Sequence, residues 1–371
     1  MSNLVTAPRG LEGVVVSQTK ISKIDGQKGK LLYRGFDATE LSSQLSFEEV
    51  SYLLWYGKIP TPEELSIFQD TLVSQRSLNS KEIEFVQKST LTASPLAFLR
   101  TAASHIGMLD EKEFGPEKAA IDLFAKFPTV VAYFERFRKG FEFVEPRSEL
   151  SFAENYLWML TGRKPHEEHI LALNSYLILL ADHGLNSSTF SAIVTISTLT
   201  DYYSAIVSAI GTLKGPLHGG APSQVWEMLL DIGERSKSRK WLEDRLSAGG
   251  KIMGFGHRVY RTEDPRSKAL KIIAKKIASP EIFALAEAVE EDARELLRKK
   301  HPDRTLETNV EFYSSLVLNA VGIPTDMFTT TFACSRIVGW TAHVLEQLSD
   351  NRLFRPESEY IGPEGLSLHK R

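Results

Sequence analysis

The stretch that most constrains this chain is residues 251–268, Lys-Ile-Met-Gly-Phe-Gly-His-Arg-Val-Tyr-Arg-Thr-Glu-Asp-Pro-Arg-Ser-Lys, because its Gly-Phe-Gly start punctuates any regular element. The missing Cβ atoms of Gly254 and Gly256 let a ligand approach the backbone beside His257. Five cations, Lys251, Arg258, Arg261, Arg266 and Lys268, stand against two acids, Glu263 and Asp264, within a chain of formal net charge -3. A locally basic loop of this kind suits an anionic ligand.

Alone, the stretch also fits an ordinary turn with a solvated basic face. Two further segments change that balance. Lys214-Gly-Pro-Leu-His-Gly-Gly220 sets His218 among three glycines and a proline, and Ala181-Asp-His-Gly-Leu-Asn-Ser-Ser-Thr189 sets His183 beside small polar residues. None of the three histidines lies on a regular amphipathic face.

Other chemistries fit less well. His166-Glu-Glu-His169 holds its histidines three apart, not four apart as in the zinc motif His-Glu-x-x-His, and Pro165 before it reads as a helix start. Gly254-Phe-Gly256 lacks the third glycine and the preceding strand of a dinucleotide loop. Ser187 and Ser188 lie outside any Gly-x-Ser-x-Gly elbow. The slightly acidic balance argues against a nucleic-acid binder, which needs a basic face to neutralise phosphates.

A chain of 371 residues is long enough for two or three domains with a large core, and 42% hydrophobic with 25% charged residues is ordinary for a globular protein. Its single cysteine, Cys334, has no intramolecular disulfide partner, and the N-terminus lacks the charged-then-apolar order of a secretory signal, so a reducing cytoplasmic setting is expected. No apolar run approaches the roughly eighteen residues of a membrane span.

Strand signals are confined to residues 12–36: Val14 to Val16, Ile21 and Ile24, an Asp25-Gly26 turn pair, then Leu31 to Tyr33. Helical periodicity follows. It starts at Ser46 and stops at Gly57 and Pro60, restarts at Thr61-Pro62-Glu63-Glu64, and recurs over Leu96 to Ile106, Ala119 to Phe137, Ser151 to Leu160 and His169 to Ala181. Further on, Leu270, Ile273 and Ile277 share one face, as do Ile282, Leu285, Val289, Ala293 and Leu296. The last helix is expected after Pro324, capped by Thr325 or Asp326, and running towards Gln347.

With Gly-Pro-Leu-His-Gly-Gly followed by Gly-Phe-Gly-His-Arg-Val-Tyr and Asp-Pro-Arg, the chain resembles citrate synthases of the compact bacterial and archaeal type, from about Gly10 to beyond Arg355. The resemblance implies an all-α fold in which a large helical domain, residues 1–218 and 319–371, is interrupted by a smaller helical domain, residues 219–318, with a short N-terminal β-hairpin. It implies a homodimer that condenses acetyl-CoA with oxaloacetate and then hydrolyses the citryl thioester. No metal and no tightly bound cofactor is expected.

Carried over residue by residue, Glu311 becomes the base, His218 the donor to the enolate oxygen and His257 the group that polarises the ketone. Oxaloacetate, a dianion, is assigned to His183, Arg266, Arg336 and Arg355. CoA is assigned to Lys251, Ile252, Met253, Gly254, Gly256, Arg258 and Arg261. The sequence departs from the family pattern at three places: Glu311 stands where Asp is usual, Gly184 where many relatives have Glu, and Phe152 where His is common. Two rivals follow. A 2-methylcitrate synthase, which takes propionyl-CoA, shares the same signatures, and a catalytically silent CoA-binding paralogue is suggested by the exchange at 311.

Overall fold

The computed structural model describes residues 6–109, 115–219 and 221–367; Gly220, the last residue of the His218 motif, lies outside them. Among these the one sheet is a small antiparallel one, β1 (Ser22–Asp25), β2 (Lys30–Tyr33) and β3 (Phe36–Asp37), in that order. Its register pairs Ile24 with Leu31 and Tyr33 with Phe36. Val14 to Val16 are not part of it: β1 already takes the free edge of β2, and Val15 stays 85% exposed.

The rest is helical. The chain runs through α1 (Ala38–Gln44), α2 (Phe47–Tyr56), α3 (Pro62–Arg76), α4 (Ser80–Lys88), α5 (Pro95–Leu109), α6 (Pro116–Arg138), α7 (Phe152–Thr161) and α8 (Glu167–Leu180). It continues through α9 (Ser187–Ile196), α10 (Tyr202–Leu213), α11 (Ala221–Ile232), α12 (Ser238–Ser247), α13 (Pro265–Ile277), α14 (Pro280–Lys300), α15 (Val310–Ala320) and α16 (Phe328–Ser349). The all-α expectation holds, and no helix among the described residues is long and apolar enough to cross a membrane.

Local chemistry sets these boundaries. Ser46 and Glu49 form a reciprocal capping box at the start of α2, and Thr61 with Glu64 does the same for α3 with Pro62 in its first turn. The last helix begins later than its sequence suggests. Residues Thr325–Met327 form a 3-10 turn, Asp326 pairs with Arg138 at 2.7 Å instead of capping, and α16 starts at Phe328 without a side-chain cap. On α13 and α14 the apolar faces drift by a position, since a 3.6-residue turn does not repeat in whole residues. Leu270 and Ala274 are buried with Ile273 and Ile277 at the margin, and α14 buries Phe283 and Leu297 where Ile282 and Leu296 were expected.

The buried helix α16 passes α2, α6, α8, α9 and α10, inserting Cys334, Ile337, Trp340 and Val344. Phe152, where the resemblance leads one to expect His, stacks on Phe124 with ring centroids 4.7 Å apart and serves the core. Beyond α10, α12 packs on α14 and α13 on α15, and both α13 and α15 return to α8. This return brings the starts of α13 and α15 to the turn that follows α8.

The sheet closes the same region from the other side. The Tyr33 hydroxyl donates to the carbonyl of Asp182 at 2.9 Å, and Ser22 Oγ donates to the Asp182 carboxylate while accepting from Gly184 N at 3.1 Å. The hairpin turn reaches the basic loop, where Arg261 N donates to the Gly26 carbonyl at 2.8 Å. A Cβ on Gly26 would stand 2.3 Å from the Val259 carbonyl oxygen, which a folded backbone cannot accommodate without shifting. Gly26→Ala should therefore lower stability by about 1–3 kcal/mol, the usual cost of overpacking, and raise the Michaelis constant for the ligand of the His257 loop. Thermal unfolding and steady-state kinetics check this; an unchanged midpoint would show that the hairpin does not bear on the loop.

Candidate active site

The loop that presents His257 is fastened to the segment that leads into α15. Phe255 and Thr308 form an antiparallel bridge, Gly256 N donates to the Glu307 carbonyl at 2.8 Å, and Asn309 N donates to the Gly254 carbonyl at 2.9 Å. Asn309 adds a bond from Nδ2 to the Gly256 carbonyl at 3.0 Å, and its Oδ1 caps α15 by accepting from Glu311 N. Gly254 and Gly256 have φ of 81° and 82°, a region that favours glycine. A Cβ on Gly254 would also come within 2.8 Å of the Phe312 ring. The glycines thus serve close packing against α15 as well as any ligand.

His257 is held in one tautomer. Its Nδ1 accepts from the backbone N–H groups of Val259 at 2.9 Å and Tyr260 at 3.1 Å, so in the neutral ring the proton sits on Nε2. Burial, then the charge of Arg266, brings its pKa down to about 4. His183 is buried, 5.3 Å from His257 between ring centroids, with Nε2 3.2 Å from the Tyr260 hydroxyl. Burial, followed by Arg266, His257 and Arg336, holds it well below the ordinary histidine range. His218 lies in the turn between α10 and α11, its Nε2 2.8 Å from Ser188 Oγ, and burial with the charge of Arg336 lowers it to about 4. Ser188 also accepts from Trp340 Nε1 at 3.0 Å, tying His218 to α16.

Two buried guanidinium groups face these imidazoles. Arg266, at the start of α13, grips Asp264 through Nε at 3.0 Å and Nη2 at 2.8 Å; burial opposes its charge, but Asp264 outweighs burial and holds the pKa above the ordinary arginine value. Arg336 on α16 donates from Nε to the Leu180 carbonyl at 2.7 Å, and burial lowers its pKa against the opposing pull of Asp182. Glu311 sits in the first turn of α15. Burial raises its pKa, while Arg266 and Arg336 pull the other way. A carboxyl shifted in this direction is a better proton acceptor than an exposed one.

The remaining assignments divide. In the basic loop Ile252 is buried and Met253 half-buried, whereas Lys251, Arg258 and Arg261 are exposed with their ammonium and guanidinium groups available to an anion. Arg355 is not brought to the cluster within one copy: it is exposed on the tail after α16 and donates to the Pro356 carbonyl at 2.7 Å. His166 is the exposed residue ahead of α8, at the opposite end of that helix from the His183 turn. Sequence reasoning gave no site role to Tyr260, Asp264, Ser188 and Trp340. Asp264 carried a signal, since Asp-Pro-Arg is a helix start whose cap also faces the arginine two residues on.

Neutral imidazoles, a carboxyl raised by burial and two buried cations suit acid–base chemistry on an anionic ligand, as in an enzyme's site. The comparisons with known proteins give it a family. Residues 10–357 match the family model described as citrate synthase, C-terminal domain. The citrate synthase of Haloferax volcanii is 43% identical, over 97% of this chain and 97% of that protein. A crystal structure of the Thermoplasma acidophilum citrate synthase, a ternary complex with carboxymethyl coenzyme A and oxaloacetate, superposes with a TM-score of 0.91 at 31% identity, covering 97% of each chain. A 2-methylcitrate synthase of Corynebacterium glutamicum is 37% identical over 96% of this chain and 95% of that protein. The chain belongs to the citrate synthase family.

Because the folded pKa values of His218 and His257 lie near 4, below the ordinary 6.5, the unfolded state binds more protons between those values. Their contribution to stability is complete above about pH 6.5 and is lost as the pH falls towards about 4. His257→Gln should accordingly lose less of its unfolding midpoint than the parent on acidification from about pH 7 to about pH 5, as read by calorimetry. An equal loss in both would mean that His257 is protonated at its ordinary pKa.

Proposed function

We propose that this protein is a citrate synthase, joining acetyl-CoA to oxaloacetate and releasing citrate and free CoA. Glu311 takes a proton from the acetyl methyl while His218 supplies a hydrogen bond to the thioester oxygen as enolate charge develops there. The enolate carbon attacks the ketone carbon of oxaloacetate, and His257 meets the ketone oxygen through Nε2–H as that oxygen becomes the hydroxyl. Water then cleaves the citryl thioester to carboxylate and thiol. Arg266, Arg336 and His183 hold the two carboxylates; a planar fork suits each carboxylate better than a point charge.

The observation that carries this reading is the main-chain pairing of residues 254–256 with 307–309, which sets the ketone donor His257 and the base Glu311 on one rigid unit. The arm of Glu311 is one methylene longer than the family's usual Asp, and the burial that raises its pKa keeps the required chemistry, a carboxylate able to accept a proton. CoA is assigned to the basic loop, with Arg258 and Arg261 as phosphate partners. We assign residues 219–318 to a small domain that closes over the substrates and keeps water from the enolate. The protein is taken as a cytoplasmic homodimer, and contact of Arg355 with oxaloacetate would require its tail to move or a second copy to supply it.

The similarity to a 2-methylcitrate synthase sets the rival. A pocket discriminates one methylene by about 10- to 200-fold. Free-CoA release by the purified protein with oxaloacetate should give the higher kcat/KM for acetyl-CoA; a higher value for propionyl-CoA would make it a 2-methylcitrate synthase, and binding of both donors without thiol release would make it a silent paralogue. Glu311→Gln, which keeps size and removes basicity, should leave oxaloacetate affinity nearly intact and lower turnover by roughly 10²–10⁴. Turnover within a few-fold of the parent would assign the proton to another residue.

A further inference from the structure

The geometry points to Glu290, in the middle of α14, as the positioning residue that holds the Glu311 segment in register. This rests on the reading of Glu311 as the base. Glu290 is 2% exposed, and neither its sequence context nor any role assigned above accounts for a carboxylate so far inside. An ion in such surroundings is strongly destabilising unless partners offset the loss of water. Here three hydrogen bonds and an ion pair meet it. Oε1 lies 2.9 Å from Arg294 Nη2 in an ion pair and accepts from Thr308 Oγ1 at 3.3 Å; Oε2 accepts from Lys271 Nζ at 2.6 Å and from the Tyr313 hydroxyl at 2.5 Å.

The choice of partners gives the carboxylate its meaning. Thr308 stands three residues before Glu311 and Tyr313 two after it, so one anion ties down both ends of the segment that carries the base. Thr308 is also the residue bridged to Phe255, and its hydroxyl accepts from Ser267 Oγ at 3.1 Å, next to Arg266. Through Thr308, Glu290 is therefore joined to the start of α13 by hydroxyl contacts and to the glycine loop of His257 by the backbone bridge, while Thr308 and Tyr313 flank Glu311 along the chain. The two cations come from outside this segment, Lys271 from α13 and Arg294 from α14 itself, and Arg294 also pairs with Glu307, one residue before Thr308. A purely architectural ion pair would need only the cations. The two hydroxyl donors flanking Glu311 are what a positioning role requires, because a displacement of about 1 Å in a catalytic group costs on the order of a hundredfold.

Glu290→Gln tests this. The amide keeps the shape, yet its NH₂ cannot accept a hydrogen bond, so one of the two hydroxyls, Thr308 or Tyr313, loses its acceptor, and Lys271 and Arg294 lose their shared anion. The expected result is a fall in kcat of roughly 10- to 100-fold with the oxaloacetate affinity changed less than about threefold, together with a larger kinetic isotope effect from methyl-deuterated acetyl-CoA as proton removal becomes slower. Tyr313→Phe, which deletes one donor and leaves the buried charge paired, should shift kcat and isotope effect in the same direction to a smaller extent. It keeps the test open should Glu290→Gln not fold. Loss of oxaloacetate affinity in parallel with kcat, or an unchanged isotope effect in Tyr313→Phe, would reduce Glu290 to a fold-stabilising ion. Glu311→Gln run alongside separates the two claims: if it turns over like the parent, the base assignment fails whatever Glu290 does, whereas an inactive Glu311→Gln with parent-like Glu290→Gln and Tyr313→Phe overturns the positioning role alone.

Discussion

Two main-chain hydrogen bonds, Gly256 N to the Glu307 carbonyl and Asn309 N to the Gly254 carbonyl, are the constraint on which the site depends. They join a glycine turn, which has no regular structure of its own, to the rigid start of α15. Such a turn left free would sample many backbone states, and fixing each residue costs about 1–2 kcal/mol of conformational entropy. Pairing it with the segment ahead of a capped helix settles that cost in the fold before any substrate arrives. His257 and Glu311, assigned above to the ketone and to the methyl proton, then share one frame.

Around this frame the charges are arranged by burial and partner. Arg266 keeps its cation because Asp264, itself buried, answers it with two bonds, and Arg336 keeps its cation against burial with the help of Asp182 and the Leu180 carbonyl. Asp182 in turn is held by Ser22, Gly184 and His343, which ties the small sheet into the electrostatics of the site. The imidazoles answer the same field in the opposite sense: with two guanidinium groups nearby and little water, they stay neutral and act as hydrogen-bond donors and acceptors. The N-terminal hairpin has no chemistry of its own. Its turn supports the basic loop at Arg261 and its strands support the His183 turn, so it spans both halves of the site.

Much of this was legible in the sequence, for identifiable reasons. The helical spacing that begins at Ser46 and the Thr61-Pro62-Glu63-Glu64 start are local signals, and they placed α2 and α3 correctly. His183, His218 and His257 stood out because glycines and small polar residues surround them, and Arg266 because Asp-Pro-Arg belongs to the signature that carries the family resemblance. What could not be read was long-range. The pairing of 254–256 with 307–309 spans some fifty residues and leaves no periodicity, Tyr260 and Trp340 look like core aromatics until their polar tips are seen against His183 and Ser188, and Glu290 reads as one more charge on a charged helix. The start of α16 was misplaced because Asp326, a good cap by type, is drawn to Arg138 on α6. Arg355 matched the family position in sequence, yet nothing local says whether its tail reaches the site of its own chain.

If one rigid unit carries both His257 and Glu311, the amide hydrogens of Gly256 and Asn309 must be protected together, because neither bond can open without disturbing the other. Hydrogen exchange of the purified protein, read at those two amides with and without oxaloacetate, measures this directly. The account predicts slow and closely matched exchange at both positions in the absence of ligand, with a common change on binding. Fast exchange at Gly256 beside a protected Asn309, or protection at either that arises only when oxaloacetate is added, would contradict a site assembled by the fold.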